Sequence, residues 1–113
     1  MNEPPSFPTV TVKVKTVDAD TVFAALGDPT RRRLLLALFD GQPRPGRALA
    51  AASGTRFDNA RKHLDGLAKA GLIVADLDPA DQRRQVYRLA PAVRTTQTPE
   101  GRTMDFGYCT VRL

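Results

Sequence analysis

Residues 26–35, Leu26-Gly27-Asp28-Pro29-Thr30-Arg31-Arg32-Arg33-Leu34-Leu35, define a helix start more tightly than any other stretch of the chain. Asp28 offers a side-chain acceptor for the first orphan amides. Pro29 suits the first helical position, where its missing N–H costs nothing. Leu34, Leu35, Leu38 and Phe39 then recur at core-facing spacings, and Gly41 with Pro43 stops the helix near residue 39. A second helix is expected over 56–70, where Phe57, Ala60, Leu64 and Leu67 fall at three- and four-residue steps and Gly71 terminates the run.

The remaining punctuation sets the order of elements. Three prolines make residues 1–8 irregular, and Val10, Val12 and Val14 alternating with polar neighbours predict a strand over 9–17. Asp18 or Asp20 caps a short helix through Phe23, Ala24 and Leu26, which Gly27 ends. A short alanine-rich helix is expected over 44–53, anchored by Leu49. Gly54 then accepts the left-handed backbone of a tight helix-to-helix turn. Residues 72–77 and 85–89 read as the two strands of a hairpin around a polar turn, 78–84, closed by Pro91. Residues 95–101 read as a polar linker and 103–113 as a further strand, with Gly107 marking a bulge.

These elements divide the chain into an N-terminal irregular segment and strand (1–17), a central domain (18–91), and a linker with a C-terminal strand (92–113) that could serve dimerisation. The expected fold is mainly α with a small β-wing, an α+β winged helix-turn-helix with extra N- and C-terminal strands. At 113 residues, one domain with a modest core is the expectation. No apolar run approaches the roughly 18–20 residues of a membrane span, and residues 1–8 lack the basic and apolar regions of a signal peptide. Cys109 is the one cysteine, so no internal disulfide can form, as suits a reducing compartment. A cytoplasmic location without a membrane partner is therefore expected.

The net charge of +5 is unevenly spread. Residues 28–94 hold thirteen Lys and Arg against seven Asp and Glu, while the flanks hold four against five. The positive excess thus sits with the candidate helices and points to nucleic acid. Away from its apolar stripe the 56–70 helix exposes Asp58, Asn59, Arg61, Lys62, Asp65 and Lys69. Asn59 has the amide for a paired contact with adenine, and Arg61 the fork for guanine. Arg56, Lys62 and His63 suit phosphates, which fix register without reading sequence. Asp58 and Asp65 either read cytosine or pair with Lys62 and Lys69 one turn on. Arg83 and Arg84, at the tip of the wing, could reach the backbone or a narrow minor groove.

At this point residues 23–89 resemble the winged-helix domain of ArsR-type bacterial transcriptional regulators. The likeness rests on residues 26–35, on Leu49-Ala50-Ala51-Ala52, on Lys62-His63-Leu64 with Leu67, Ala70, Gly71 and Leu72, and on Arg83-Arg84-Gln85-Val86-Tyr87-Arg88-Leu89. The resemblance implies a homodimer that binds a palindromic operator in double-stranded DNA and represses transcription. Its two recognition helices would enter successive major grooves about 34–36 Å apart.

Two departures from the family pattern stand out. Where members that sense metal carry cysteine pairs, this chain has Arg44-Pro45-Gly46-Arg47. One histidine and one distant cysteine cannot complete a site wanting about four ligands, so no metal sensing and no cofactor are expected. The helix after the wing, through which the family usually dimerises, is also missing: residues 95–113 show no helical period. N- and C-terminal strands pairing across subunits would have to replace it.

Plainer readings stand beside these. Arg31, Arg32 and Arg33 could form a solvated face, since cations near a helix N-terminus are mildly unfavourable, or could touch phosphate. His63 is a helix-surface histidine more readily than a ligand or base. Cys109 is a small buried hydrophobe more readily than a thiol sensor. The alternative to an operator-binding repressor is a winged-helix module that binds protein or RNA without operator specificity. An enzyme is not expected, because the chain shows no nucleophile-and-base pair, glycine-rich phosphate loop or metal constellation.

Overall fold

The computed structural model describes residues 18–113, so the irregular start and the strand expected before residue 18 lie outside the described residues. Helix α1 spans Ala19–Leu26, and the Asp18 carboxylate accepts from the Thr21 N–H at 2.8 Å to cap it. Helix α2 spans Pro29–Ala37. Asp28 accepts from the Arg31 N–H at 3.1 Å and Pro29 occupies the first turn, as the sequence predicts. Leu34, Leu35 and Leu38 are fully buried and Phe39 packs half-buried at the core edge.

The three arginines after Pro29 each donate to a carbonyl of a neighbouring helix, while Arg33 stays exposed to solvent. Arg31 Nη1 donates to the Ala24 carbonyl at 3.2 Å, Arg32 Nη1 to the Leu26 carbonyl, and Arg33 Nε to the Ser53 carbonyl at 3.1 Å. Ala24 and Leu26 lie in the last turn of α1, and Ser53 ends the next helix. Carbonyls there lack intrahelical partners and carry the negative end of the helix dipole, so a guanidinium satisfies both. The cationic triplet thus fastens α2 to the ends of its two neighbours.

The helix expected over 44–53 begins two residues later. Arg44–Pro45 forms a short strand, β1, and helix α3 spans Gly46–Ser53. Steric clash with the Pro45 ring pushes Arg44 to extended backbone, and Pro45 itself takes φ −69 and ψ 153 as the N-cap. Gly54 follows at φ 69, in the left-handed conformation the turn to the next helix requires. Helix α4 spans Phe57–Lys69 and buries Ala60, Leu64 and Leu67.

Strands β2 (Ile73–Leu77) and β3 (Gln85–Leu89) form the expected hairpin, and β1 adds to the other edge of β3 in an antiparallel sheet ordered β1-β3-β2. Pairing of Arg44 with Tyr87 and of Pro45 with Val86 ties the entry of α3 to the base of the wing. The core lies between this sheet and the helices, with Leu49, Leu72 and Tyr87 among its buried members.

The C-terminal quarter differs from expectation. The polar linker over 95–101 is strand β4 (Arg94–Thr98) and the turn into β5 (Gly101–Asp105), and the strand over 103–113 is split into β5 and β6 (Thr110–Arg112). These form a second antiparallel sheet ordered β4-β5-β6. β4 escapes sequence reading because nearly all of it is exposed, so no apolar alternation marks it. Its threonines nevertheless favour extended backbone. Gly107 marks no bulge; at φ 88 it sits in the turn between β5 and β6, its N–H donating to the Asp105 carboxylate at 2.8 Å. Met104 and Phe106 bury the sheet's inner side against the helical core, and Cys109 packs half-buried beside it.

Candidate nucleic-acid interface

Helix α4 carries its polar residues where the core leaves room. With Ala60, Leu64 and Leu67 inward, the 3.6-residue period centres the opposite face on Asp58, Lys62, Asp65 and Lys69, all exposed. Arg56 sits just before the helix as its N-cap, exposed and without a side-chain cap bond. Asp58, in that turn, is favoured by the positive end of the helix dipole.

Asn59 and Arg61 lie on opposite flanks of this face, about 160° apart around the helix axis. The Asn59 amide donates to the Thr55 hydroxyl at 2.8 Å, so its carbonyl oxygen is left for another donor. Arg61 faces the wing. It lines a cleft of about 480 Å³ with Arg47, Phe57, Arg83, Arg84 and Tyr87. Among the described residues Arg61 and Lys62 have no ion-pair partner.

His63 turns the other way. It is half-buried in a groove with Thr21, Ala24, Ala25 and Arg31, against α1 and α2 rather than on the outward centre of α4. Its charge reaches the Asp28 carboxyl. That carboxyl is held below its usual range first by the Arg31 N–H, against partial desolvation, and then by the His63 charge.

The wing tip is built by two aspartates. Asp78 accepts from the Ala80 N–H at 2.9 Å and Asp81 from the Arg83 N–H at 3.1 Å, while backbone bonds Asp78 N–H to Arg84 carbonyl (2.8 Å) and Arg84 N–H to Asp81 carbonyl (2.9 Å) close the loop. The Ala80 N–H, aided by Arg84, lowers the Asp78 pKa. Arg84 meets Asp78 through Nη2 at 3.0 Å and Nε at 3.2 Å, so two of its N–H donors are already engaged by a carboxylate. Arg83 is only loosely paired with Asp81 at 3.5 Å, and its side chain is 95% exposed.

Sequence reasoning passed over Arg47. Its guanidinium stacks on the Phe57 ring, 4.5 Å from the centroid, which holds the cation of α3 beside the first turn of α4. An Arg followed ten residues later by an aromatic carries no periodic signal; only the crossing of α3 and α4 brings them together. Tyr87, buried beneath the cleft, donates to the Gln85 side-chain oxygen at 3.0 Å. Burial, with the Asp65 charge, raises its pKa, and Arg61 opposes the rise. Among the described residues no three His, Cys, Asp or Glu side chains cluster as metal ligands, and no helix is long and apolar enough to cross a membrane.

This arrangement of three core helices, a tight turn, an outward basic helix and a two-stranded wing defines a winged helix-turn-helix. The comparisons agree. The chain is 51% identical over 66 residues to the HTH-type transcriptional regulator CmtR of Mycobacterium tuberculosis and of Mycobacterium bovis, covering 58% of this chain and 52% of those proteins. It thus spans about half the length of the curated relatives it matches. A solution structure of the cadmium metal-sensor CmtR from M. tuberculosis superposes with a TM-score of 0.52 at 41% identity, over 65% of this chain and 72% of that one. The homodimeric winged helix-turn-helix DNA-binding domain of a possible ArsR-family regulator from M. bovis gives 0.55 at 32% identity, over 63% and 62%. No family model matches the chain. The chain belongs to the ArsR-type winged helix-turn-helix transcriptional regulators.

Proposed function

We propose that the chain is a dimeric transcriptional repressor, acting in the cytoplasm, that binds a palindromic operator in double-stranded DNA. The observation that carries this reading is the cationic face formed by Arg61 and Lys62 on α4 and by Arg83 on the wing. Arg61 and Lys62 have no ion-pair partner among the described residues, and Arg83 is exposed and only loosely paired with Asp81. Inserted into the major groove, α4 directs Arg61 and Asn59 at base edges, while Arg56, Lys62 and Arg47 engage phosphates. Asp58 lies where it can accept from a cytosine amino group. His63, turned toward α1, approaches the backbone only at the margin of the contact. Arg83 and Arg84 follow the adjacent backbone or minor groove. The homodimeric M. bovis neighbour supports two such faces acting together.

Repression is proposed to be independent of metal. This chain offers one histidine and one cysteine as nitrogen and sulfur donors, and His63 is half-buried against α1. A cadmium or zinc site asks for about four ligands.

The test is selection of bound sites from random DNA, followed by gel-shift titration. The selected site should be a palindrome, bound roughly a thousandfold more tightly than random sequence, with affinity falling steeply between about 50 and 200 mM salt. Equal affinity for random DNA refutes the reading and favours a module that binds protein or RNA. Release of the operator on adding Cd²⁺ or Zn²⁺ refutes metal independence alone.

A further inference from the structure

We propose that the outer edge of β4 is the dimer interface: two copies of the chain pair β4 against β4 about a two-fold axis at Thr96, joining their C-terminal sheets into one antiparallel sheet. This rests on the dimeric reading above and specifies the surface that does the work. β4 lies at the edge of the β4-β5-β6 sheet, and Arg94 to Gln97 are exposed. Natural edges are commonly blunted by proline, by central charges or by bulges. The middle of β4, Thr95-Thr96-Gln97, has none of these. The other edge of the same sheet is only three residues long, and Val111 and Arg112 there share a groove with Pro29 and Leu36 of α2.

The hydrogen-bonding parity of β4 fits a second copy. The turn after Thr98 has two residues, and Thr98 pairs with Gly101 and Thr96 with Thr103. The Thr103 hydroxyl donates to the Thr96 carbonyl at 3.3 Å, which places that carbonyl on the β5 side. Backbone groups alternate along a strand, so those of Thr95 and Gln97 point outward. Antiparallel pairing about Thr96 sets Thr95 opposite the partner's Gln97 and Gln97 opposite the partner's Thr95. That satisfies these groups with about four backbone hydrogen bonds.

The charges agree with the same register. Arg94 then stands opposite the partner's Thr98 and diagonal to the partner's Glu100 on the hairpin turn. Within the described residues of one chain, Arg94 and Glu100 are both exposed and have no ion-pair partner. A two-fold axis gives each Arg94 one carboxylate of the partner, so the pair occurs twice per dimer.

The test is light scattering across a concentration series, with circular dichroism to report folding. Gln97→Pro and Thr95→Pro each remove an outward N–H without touching the β5 ladder. Each should raise the dimer dissociation constant at least about tenfold while the spectrum stays native. Arg94→Glu and Glu100→Arg place like charges across the axis twice per dimer. Each should weaken association about tenfold, and the double variant should recover it. This arm decides the matter even if the proline variants fail to fold. A wild-type dimer that all four single variants leave intact overturns the β4 interface and leaves the dimeric reading standing. A wild-type chain that stays monomeric at every concentration, with operator present or absent, overturns both.

Discussion

Replacing Gly54 by alanine isolates the backbone cost of the turn that aims α4. Gly54 sits at φ 69 and ψ 27, and its N–H donates to the Ala51 carbonyl at 3.3 Å while the Thr55 N–H reaches the Ala50 carbonyl at 3.1 Å. A Cβ built on Gly54 meets nothing within 4 Å, so no clash adds to the cost. What remains is left-handed strain of about 1–2 kcal/mol for an L-residue with a side chain. Alanine offsets roughly 0.4–1 kcal/mol of that by restricting the unfolded chain. The net loss should be about 1 kcal/mol, lowering Tm by about 4–8 °C in a domain of this size. Gly54→Asn should lose less, since asparagine tolerates this conformation better. Urea titrations followed by far-ultraviolet circular dichroism measure it, with an unchanged slope confirming that only the midpoint moved. Wild-type stability for the alanine variant, or an asparagine variant as impaired as alanine, would refute the argument from backbone strain.

Three further outcomes are expected. Arg33→Met keeps the apolar stem but withdraws the donor from the Ser53 carbonyl, and should lower stability by about 1 kcal/mol in the same titration; an unmoved midpoint would deny the cross-helix role. Asp28→Asn should show a pH-dependent penalty. The folded carboxyl titrates below its unfolded value of about 3.9, so its stabilisation is complete above that pH and fades as pH falls through the lower folded value. Equal gaps between variant and wild type at pH 6 and pH 3 would contradict this. Asn59→Ala and Arg61→Ala should each cost about 1–3 kcal/mol of operator affinity and relax preference, whereas Arg83→Ala should weaken every sequence alike and lower the salt slope by about one. Gel-shift titrations on operator and random DNA separate the two patterns, and a neutral first pair would mean that α4 meets DNA through another face.

The helical half of the fold was legible because local chemistry and burial agree there. Asp28 and Pro29 announce α2, Gly54 announces the turn, and the Ala60-Leu64-Leu67 stripe announces α4. The wing strands were equally plain, since Val86, Tyr87 and Leu89 are buried between turn residues. β4 was not, because an exposed strand obeys no inside-outside alternation. Arg31 to Arg33 were opaque for another reason: their partners are carbonyls of other helices. These lie seven and six residues back for Arg31 and Arg32 and twenty ahead for Arg33, and no periodic spacing encodes such contacts. The candidate interface was legible as a set of residue types but not as a shape. The turn of His63 toward α1 and the stacking of Arg47 on Phe57 both follow from helix crossings.

Those crossings constrain how DNA can be read. Asn59 and Arg61 are two residues apart, about 3 Å along the axis, yet they leave α4 on opposite flanks. Under the operator-binding proposal they would therefore reach toward different base pairs. Asn59, tethered to Thr55, serves the flank nearer the start of α4, while Arg61 serves the flank beside the wing. Arg47, Arg83 and Arg84 share the Arg61 side. Positive charge is thus concentrated between α4 and the wing, the side on which a phosphate backbone would be held most firmly. In the same proposed complex, backbone grip on that side would turn the outward centre of α4, where Asp58 lies, toward the floor of the groove. A carboxylate there opposes phosphate and is tolerated only where it meets a base-edge donor or a neighbouring cation. With α4 bound to an operator as proposed, Asp58 would therefore meet either a base-edge donor, such as the cytosine amino group, or Lys62 one turn on.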